Sequence, residues 1–136
     1  MTPAPDVSAS TQDYSEEALR HFLSPGNVGR IDPHDATAFI EHPACGDRLQ
    51  VWIAMTGRRV ESIGFLASGC PGTIAAASAA TCLAKGRDVD DALSSVTEEE
   101  IDRCLGGLPA GKAHCTRIAA HVVREALLGL PREEAS

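Results

Sequence analysis

The stretch RLQVWIAMTGRRVESIGFLA, residues 48–67, decides the fold. From Arg48 to Met55 the side chains alternate between two faces, and Leu49, Val51, Ile53 and Met55 share one of them, the period of a half-buried strand. Thr56-Gly57-Arg58-Arg59 reads as a turn. Val60 to Ala67 then forms a second strand, with Ile63, Phe65 and Ala67 together. Strands joined by so short a turn must be antiparallel.

Working outward, Ala36 to His42 reads as a third, shorter strand. Before it, Tyr14 to Leu23 is a helix that Ser15 can cap and whose first turn holds Glu16 and Glu17. Pro25, Gly26 and Gly29 break the chain into a loop. After the hairpin the sequence turns helical. Gly72 to Lys85 is rich in Ala, a strong helix former, and Gly86 can end it. Val89 to Ser94 is a short helix. Thr97 opens another, with Glu100 three residues on as in a capping box, and Gly106-Gly107-Leu108-Pro109 closes it. The last helix runs from Lys112 to Leu130, where Cys115, Ile118, Ala119, Val122, Val123, Ala126, Leu127 and Leu130 make one apolar stripe. Strands followed by helices predict an α+β fold: a three-stranded antiparallel sheet with helices mainly on one face. Residues 1–12 and 132–136 are expected to be tails around a single domain at 13–131.

Composition narrows the function. The 136 residues are 43% hydrophobic but only 4% aromatic, so small aliphatic side chains must fill the core. A net charge of -7 disfavours nucleic acid, whose phosphates need clustered Lys and Arg, and favours basic protein partners. No run of about 18 apolar residues is present, so no membrane span is expected. The first dozen residues lack the basic and apolar regions of a secretory signal, and a cytoplasmic location is the expectation. Five cysteines, an odd number at irregular spacing, do not read as a disulfide framework there.

The cysteines divide by position. Cys45, in Pro43-Ala44-Cys45-Gly46-Asp47, and Cys70, in Ser68-Gly69-Cys70-Pro71-Gly72, sit in Gly-containing turns where the backbone can approach a ligand. Cys115 follows His114 at the start of the last helix, a place that favours thiolate. For each of the three, a buried structural thiol is an equally good reading. Cys82 and Cys104 look like helix-packing residues. With no Cys-x-x-Cys, a zinc finger is not expected; any metal site must be assembled by folding. His21, His34 and His42 read as surface residues and His121 as a core-edge one. Ser78 shows no base nearby, which argues against a hydrolase triad.

At these positions the chain resembles the IscU/NifU-type iron–sulfur cluster scaffold proteins. The resemblance runs from Tyr14 to about Leu130. It is carried by His21-Phe22-Leu23-Ser24-Pro25-Gly26-Asn27-Val28-Gly29, Asp35-Ala36-Thr37, Cys45-Gly46-Asp47, Gly69-Cys70 with Ile74, Ala75 and Ser78, Leu108-Pro109, and His114-Cys115. It implies an IscU/SufE-like fold. It implies Cys45, Cys70 and Cys115 as cluster ligands, with Asp47 and His114 completing the set for a [2Fe-2S] cluster or, without one, for zinc. It further implies a cysteine desulfurase that supplies sulfur and apo iron–sulfur proteins that receive the cluster, with no turnover enzyme activity. An oxygen ligand from Asp47 beside thiolates fits a cluster held for release. The alternative within this resemblance is a zinc-bound sulfur acceptor of the SufU kind, with Cys115 taking the persulfide. Two departures stand out. Leu108-Pro109-Ala110-Gly111-Lys112 lacks the family's second proline, which weakens the expectation of a dedicated chaperone. Pro71 stands where a small residue is usual.

Overall fold

The computed structural model describes residues 14–42, 46–108 and 113–129. Eight elements follow one another there: α1 (Glu16–Leu23), β1 (Ala36–Glu41), β2 (Arg48–Thr56), β3 (Arg59–Ser68), α2 (Pro71–Ala84), α3 (Val89–Ser95), α4 (Glu98–Leu105) and α5 (Ala113–Leu128). The expected tails, Pro109 to Lys112 and Leu130 lie outside the described residues. The fold is the α+β arrangement expected from the hairpin.

The sheet has the order β1-β2-β3, antiparallel throughout. Ile40 faces Leu49, which faces Ala67; Ala38 faces Val51, which faces Phe65. These rows form the inner face, where Leu49, Val51, Ile53, Ile63 and Phe65 are buried. A bulge at Ala54/Met55 shifts the register near the turn, so Val60 pairs with Met55. An extra residue in one strand lets Val60 rejoin the buried face. The alternation of β2 is not purely one-sided. Trp52 points to the outer face yet is only 4% exposed, and the Arg30 guanidinium lies 5.8 Å from its ring centroid.

Helix α2 lies at the centre of the helical layer, packed on β3, α1, α3, α4 and α5. Pro71 opens it at a position that needs no N–H donor. Its Ala, Ser and Thr residues let neighbours approach closely, and it is buried on nearly all sides rather than along one stripe. On α5 the expected stripe is buried from Cys115 to Leu127. Only half of the capping box forms on α4. The Thr97 hydroxyl accepts the Glu100 N–H at 3.1 Å, while the Glu100 carboxylate turns outward to Arg103.

Candidate metal centre

Register brings the site together. Glu41, Arg48 and Ser68 form the last row of the sheet. The residues just beyond that row, Asp47 before β2 and Cys70 after β3, therefore emerge side by side. The β1–β2 loop closes on itself: the His42 N–H donates to the Asp47 carbonyl at 2.8 Å and the Gly46 N–H to the His42 carbonyl at 2.7 Å. Cys70 is the N-cap of α2. The first turn of α5 supplies His114 and Cys115.

One donor atom each from Asp47, Cys70, His114 and Cys115 lies within 4.8 Å of all the others. Cys70 Sγ is 3.6 Å from Cys115 Sγ and 3.8 Å from Asp47 Oδ2. His114 Nε2 is 3.7 Å from Cys115 Sγ and 3.9 Å from Asp47 Oδ2. A tetrahedral zinc ion, with bonds of roughly 2.0–2.3 Å, separates its ligand atoms by about 3.3–3.8 Å. Two sulfurs, one imidazole and one carboxylate come close to that spacing in four of their six pairs, at 3.6–3.9 Å.

Asp47 is a carboxylate with 4% exposure, a burial that needs compensating hydrogen bonds. Its Oδ1 accepts the Cys70 backbone N–H at 3.3 Å, so the negative charge sits at the N-terminus of α2. Its Oδ2 accepts the Thr73 hydroxyl at 2.6 Å. Gly69 (φ +152°) leaves the necessary room, since a Cβ there would lie 2.2 Å from Asp47 Oδ1. Gly72 does the same for the sulfur, since a Cβ there would lie 2.8 Å from Cys115 Sγ and 3.0 Å from the Tyr14 hydroxyl.

The two thiols share a proton unequally. Cys70 is half-buried at a helix start. Contact with the Cys115 thiol, and then with the Thr73 backbone N–H, pushes Cys70 below the ordinary thiol range. Cys115 is fully buried, and the neighbouring Cys70 and burial push it up. In the metal-free protein these opposite directions favour thiolate character on Cys70 over Cys115. Tyr14 lies behind the pair. Burial and then the charges of Cys70 and Cys115 push its phenol up to about 12. Its hydroxyl is buried without a hydrogen-bond partner among the described residues, although the Gly72 backbone is close enough to offset part of that shift.

Of the five expected site residues, four converge; Cys45 lies outside the described residues. Other readings change. His42 is no remote surface residue: its ring centroid is 5.6 Å from that of His114. His21 Nδ1 lies 2.7 Å from Ser78 Oγ, so Ser78 does have a base nearby. The Ser78 oxygen is buried and also accepts the Gly26 N–H, an arrangement that pins the 24–29 loop rather than exposing a nucleophile. His121 is exposed and faces Glu125 at 3.7 Å. Cys82 is exposed, facing Asn27 of the same loop, and Cys104 is half-buried. Thr73 was not anticipated, though its place three residues after Cys70 puts it on the same side of a helix.

The fold and this donor set define a class of protein. The chain belongs to the NifU-like N-terminal domain family, whose model matches residues 13–135. It is 38% identical over 115 residues to the iron-sulfur cluster assembly scaffold protein IscU 1 of Archaeoglobus fulgidus, covering 85% of this chain and 74% of that one. It is 34% identical over 124 residues to the nitrogen fixation protein NifU of Azotobacter chroococcum mcd 1, covering 90% of this chain but 40% of that longer one. The fold matches a candidate iron-sulfur cluster assembly scaffold protein for the SUF system from Fervidobacterium islandicum, with a TM-score of 0.70 at 16% identity, over 87% of this chain and 98% of that one. Among the described residues, no helix is long and apolar enough to cross a membrane.

Proposed function

We propose that this chain is a scaffold on which an iron–sulfur cluster is assembled from iron and desulfurase-derived sulfur, and from which it passes to apo-proteins. The observation that carries this reading is the convergence of Asp47, Cys70, His114 and Cys115 within 4.8 Å in a member of this family. Cys45 is the proposed third thiolate. Its neighbours His42 and Asp47 are tied by the loop hydrogen bond, and both border the centre. The cluster is cargo, most simply [2Fe-2S], and no turnover chemistry is assigned to the protein. A two-iron cluster is wider than a single ion, so loading spreads donors that now sit at single-ion spacing. The Asp47 oxygen and the His114 nitrogen make the holding set harder than four thiolates, which suits release. Thiols must be reduced to serve, which fits a cytoplasmic location, and residues 13–131 are the proposed working domain.

Single-ion spacing favours a second reading, a zinc-bound sulfur acceptor. There Cys115 remains the proposed acceptor once zinc neutralises the Cys70 charge that pushes it up. Its thiolate attacks the terminal sulfur of a desulfurase persulfide, forms the new S–S bond and releases the desulfurase thiolate.

Anaerobic reconstitution with iron, cysteine and a cysteine desulfurase separates the two. The scaffold reading expects visible cluster absorption that disappears in Cys45→Ala, Cys70→Ala and Cys115→Ala. Tight zinc, no cluster, and persulfide on one cysteine would sink it in favour of the second.

A further inference from the structure

Thr73 and Thr81 lie on the same buried helix and use their hydroxyls differently. Thr81 makes the local bonds usual for a helical threonine, to the carbonyls of Ala77 at 2.9 Å and Ser78 at 3.0 Å. The Thr73 hydroxyl leaves its helix and donates to Asp47 Oδ2 at 2.6 Å. Thr73 is fully buried among alanines, where a hydroxyl costs stability unless bonded.

A hydroxyl has one proton. Cys70 Sγ and Cys115 Sγ also approach Thr73 Oγ1, each at 3.6 Å. The short contact to a charged acceptor is much the stronger, so the proton points to Asp47. The oxygen it engages, Oδ2, is the one that faces His114 Nε2 and Cys70 Sγ. A carboxylate oxygen can accept more than one partner, so Oδ2 can hold the Thr73 bond and still face the other donors. A second anchor of the carboxylate, the Cys70 N–H, is longer and holds Oδ1.

We propose that Thr73 is the positioning residue of this centre, clamping the Asp47 carboxylate so that Oδ2 is presented to a bound metal ion. The clamp comes from the same rigid helix that carries Cys70, so carboxylate and thiolate are held relative to one another before any ion arrives. This inference rests on the metal-binding reading of the site.

The test measures Zn²⁺ and Co²⁺ affinities of the full chain anaerobically, by competition with a chromophoric chelator. Thr73→Val keeps the shape and removes the donor; Thr73→Ser keeps the donor. Thr73→Val is expected to weaken both ions about tenfold to a hundredfold, Thr73→Ser to restore most of that loss, and Thr73→Val to add no further loss in an Asp47→Ala background. Asp47→Asn replaces Asp47→Ala there if the latter does not fold. Wild-type affinity in Thr73→Val, an undiminished effect without Asp47, or Thr73→Ser behaving like Thr73→Val each overturns the clamp. Failure of the wild-type chain to bind either ion overturns the metal reading itself, and the clamp with it.

Discussion

Helix α2 has a cysteine near each end, and the two live in different chemical worlds. Cys70 caps its start; Cys82 lies twelve residues on, about 18 Å along the axis at 1.5 Å per residue. Around Cys70 are a second thiol, a buried carboxylate, a buried hydroxyl and a helix N-terminus. Cys82 faces solvent and the amide of Asn27. Its neighbour in charge, Cys104 on α4, is pushed up by burial, then by Glu100 and by Cys82 itself. Residue type is therefore uninformative about thiol chemistry; what differs is how many polar groups the fold converges on each sulfur.

Closing the space beside Cys115 should break this comparison most severely. In Gly72→Ala the new methyl meets Cys115 Sγ and the Tyr14 hydroxyl, and something must shift at a cost of about 1–3 kcal/mol. Zinc titration of the folded variant should show affinity reduced on the order of a hundredfold, as expected when donors are displaced; unchanged affinity would show that α5 adjusts freely.

Thiol reactivity sharpens the contrast at intermediate size. In metal-free protein, iodoacetamide labelling followed by peptide mass spectrometry should modify Cys70 well before Cys115, with the Cys70 rate rising through about pH 5. Stability follows with opposite signs. The Cys70 thiol is lower folded than unfolded, so its contribution is present above the ordinary value of 9.0 and lost as pH falls through about 5. Cys115 is raised, so its contribution is present below 9.0 and lost at higher pH. Melting temperature of the metal-free protein should rise from pH 5 toward 8 and decline in strong alkali; a flat profile in Cys70→Ser would assign the acid limb.

The smallest effects belong to the other pair. Cys82→Ser should change stability by no more than about 0.5 kcal/mol, as an exposed position does, and Cys104→Ser by about 1 kcal/mol. Neither should alter cluster or zinc loading in the assays above. Loss of loading in either would join the two pairs into one system.

Much of this was legible in the sequence, for identifiable reasons. The β2–β3 hairpin announced itself through an apolar residue at every second position and a Gly-containing turn, and α5 through its apolar stripe; both signals are local. The bulge at Ala54/Met55 was not legible, because one unpaired residue leaves the apolar pattern of each strand nearly intact. The cysteines could be sorted by position, but only the family resemblance tied them to Asp47 and His114. Thr73, His42 and the His21–Ser78 contact depend on which segments fold against each other, 26 to 72 residues apart in the chain for Thr73 with Asp47, His42 with His114 and His21 with Ser78. Cys82 was misread because α2 is almost wholly buried and Ala-rich, so its narrow open side has no signature in the periodicity.

That near-complete burial of α2 has a mechanical corollary. A helix wedged between a sheet and four other helices works as a fixed jaw, and it carries both Cys70 and the Thr73 clamp. Cargo of different width, a lone ion or a two-iron cluster, must then be met by displacement of the opposing jaw, the first turn of α5 with His114 and Cys115.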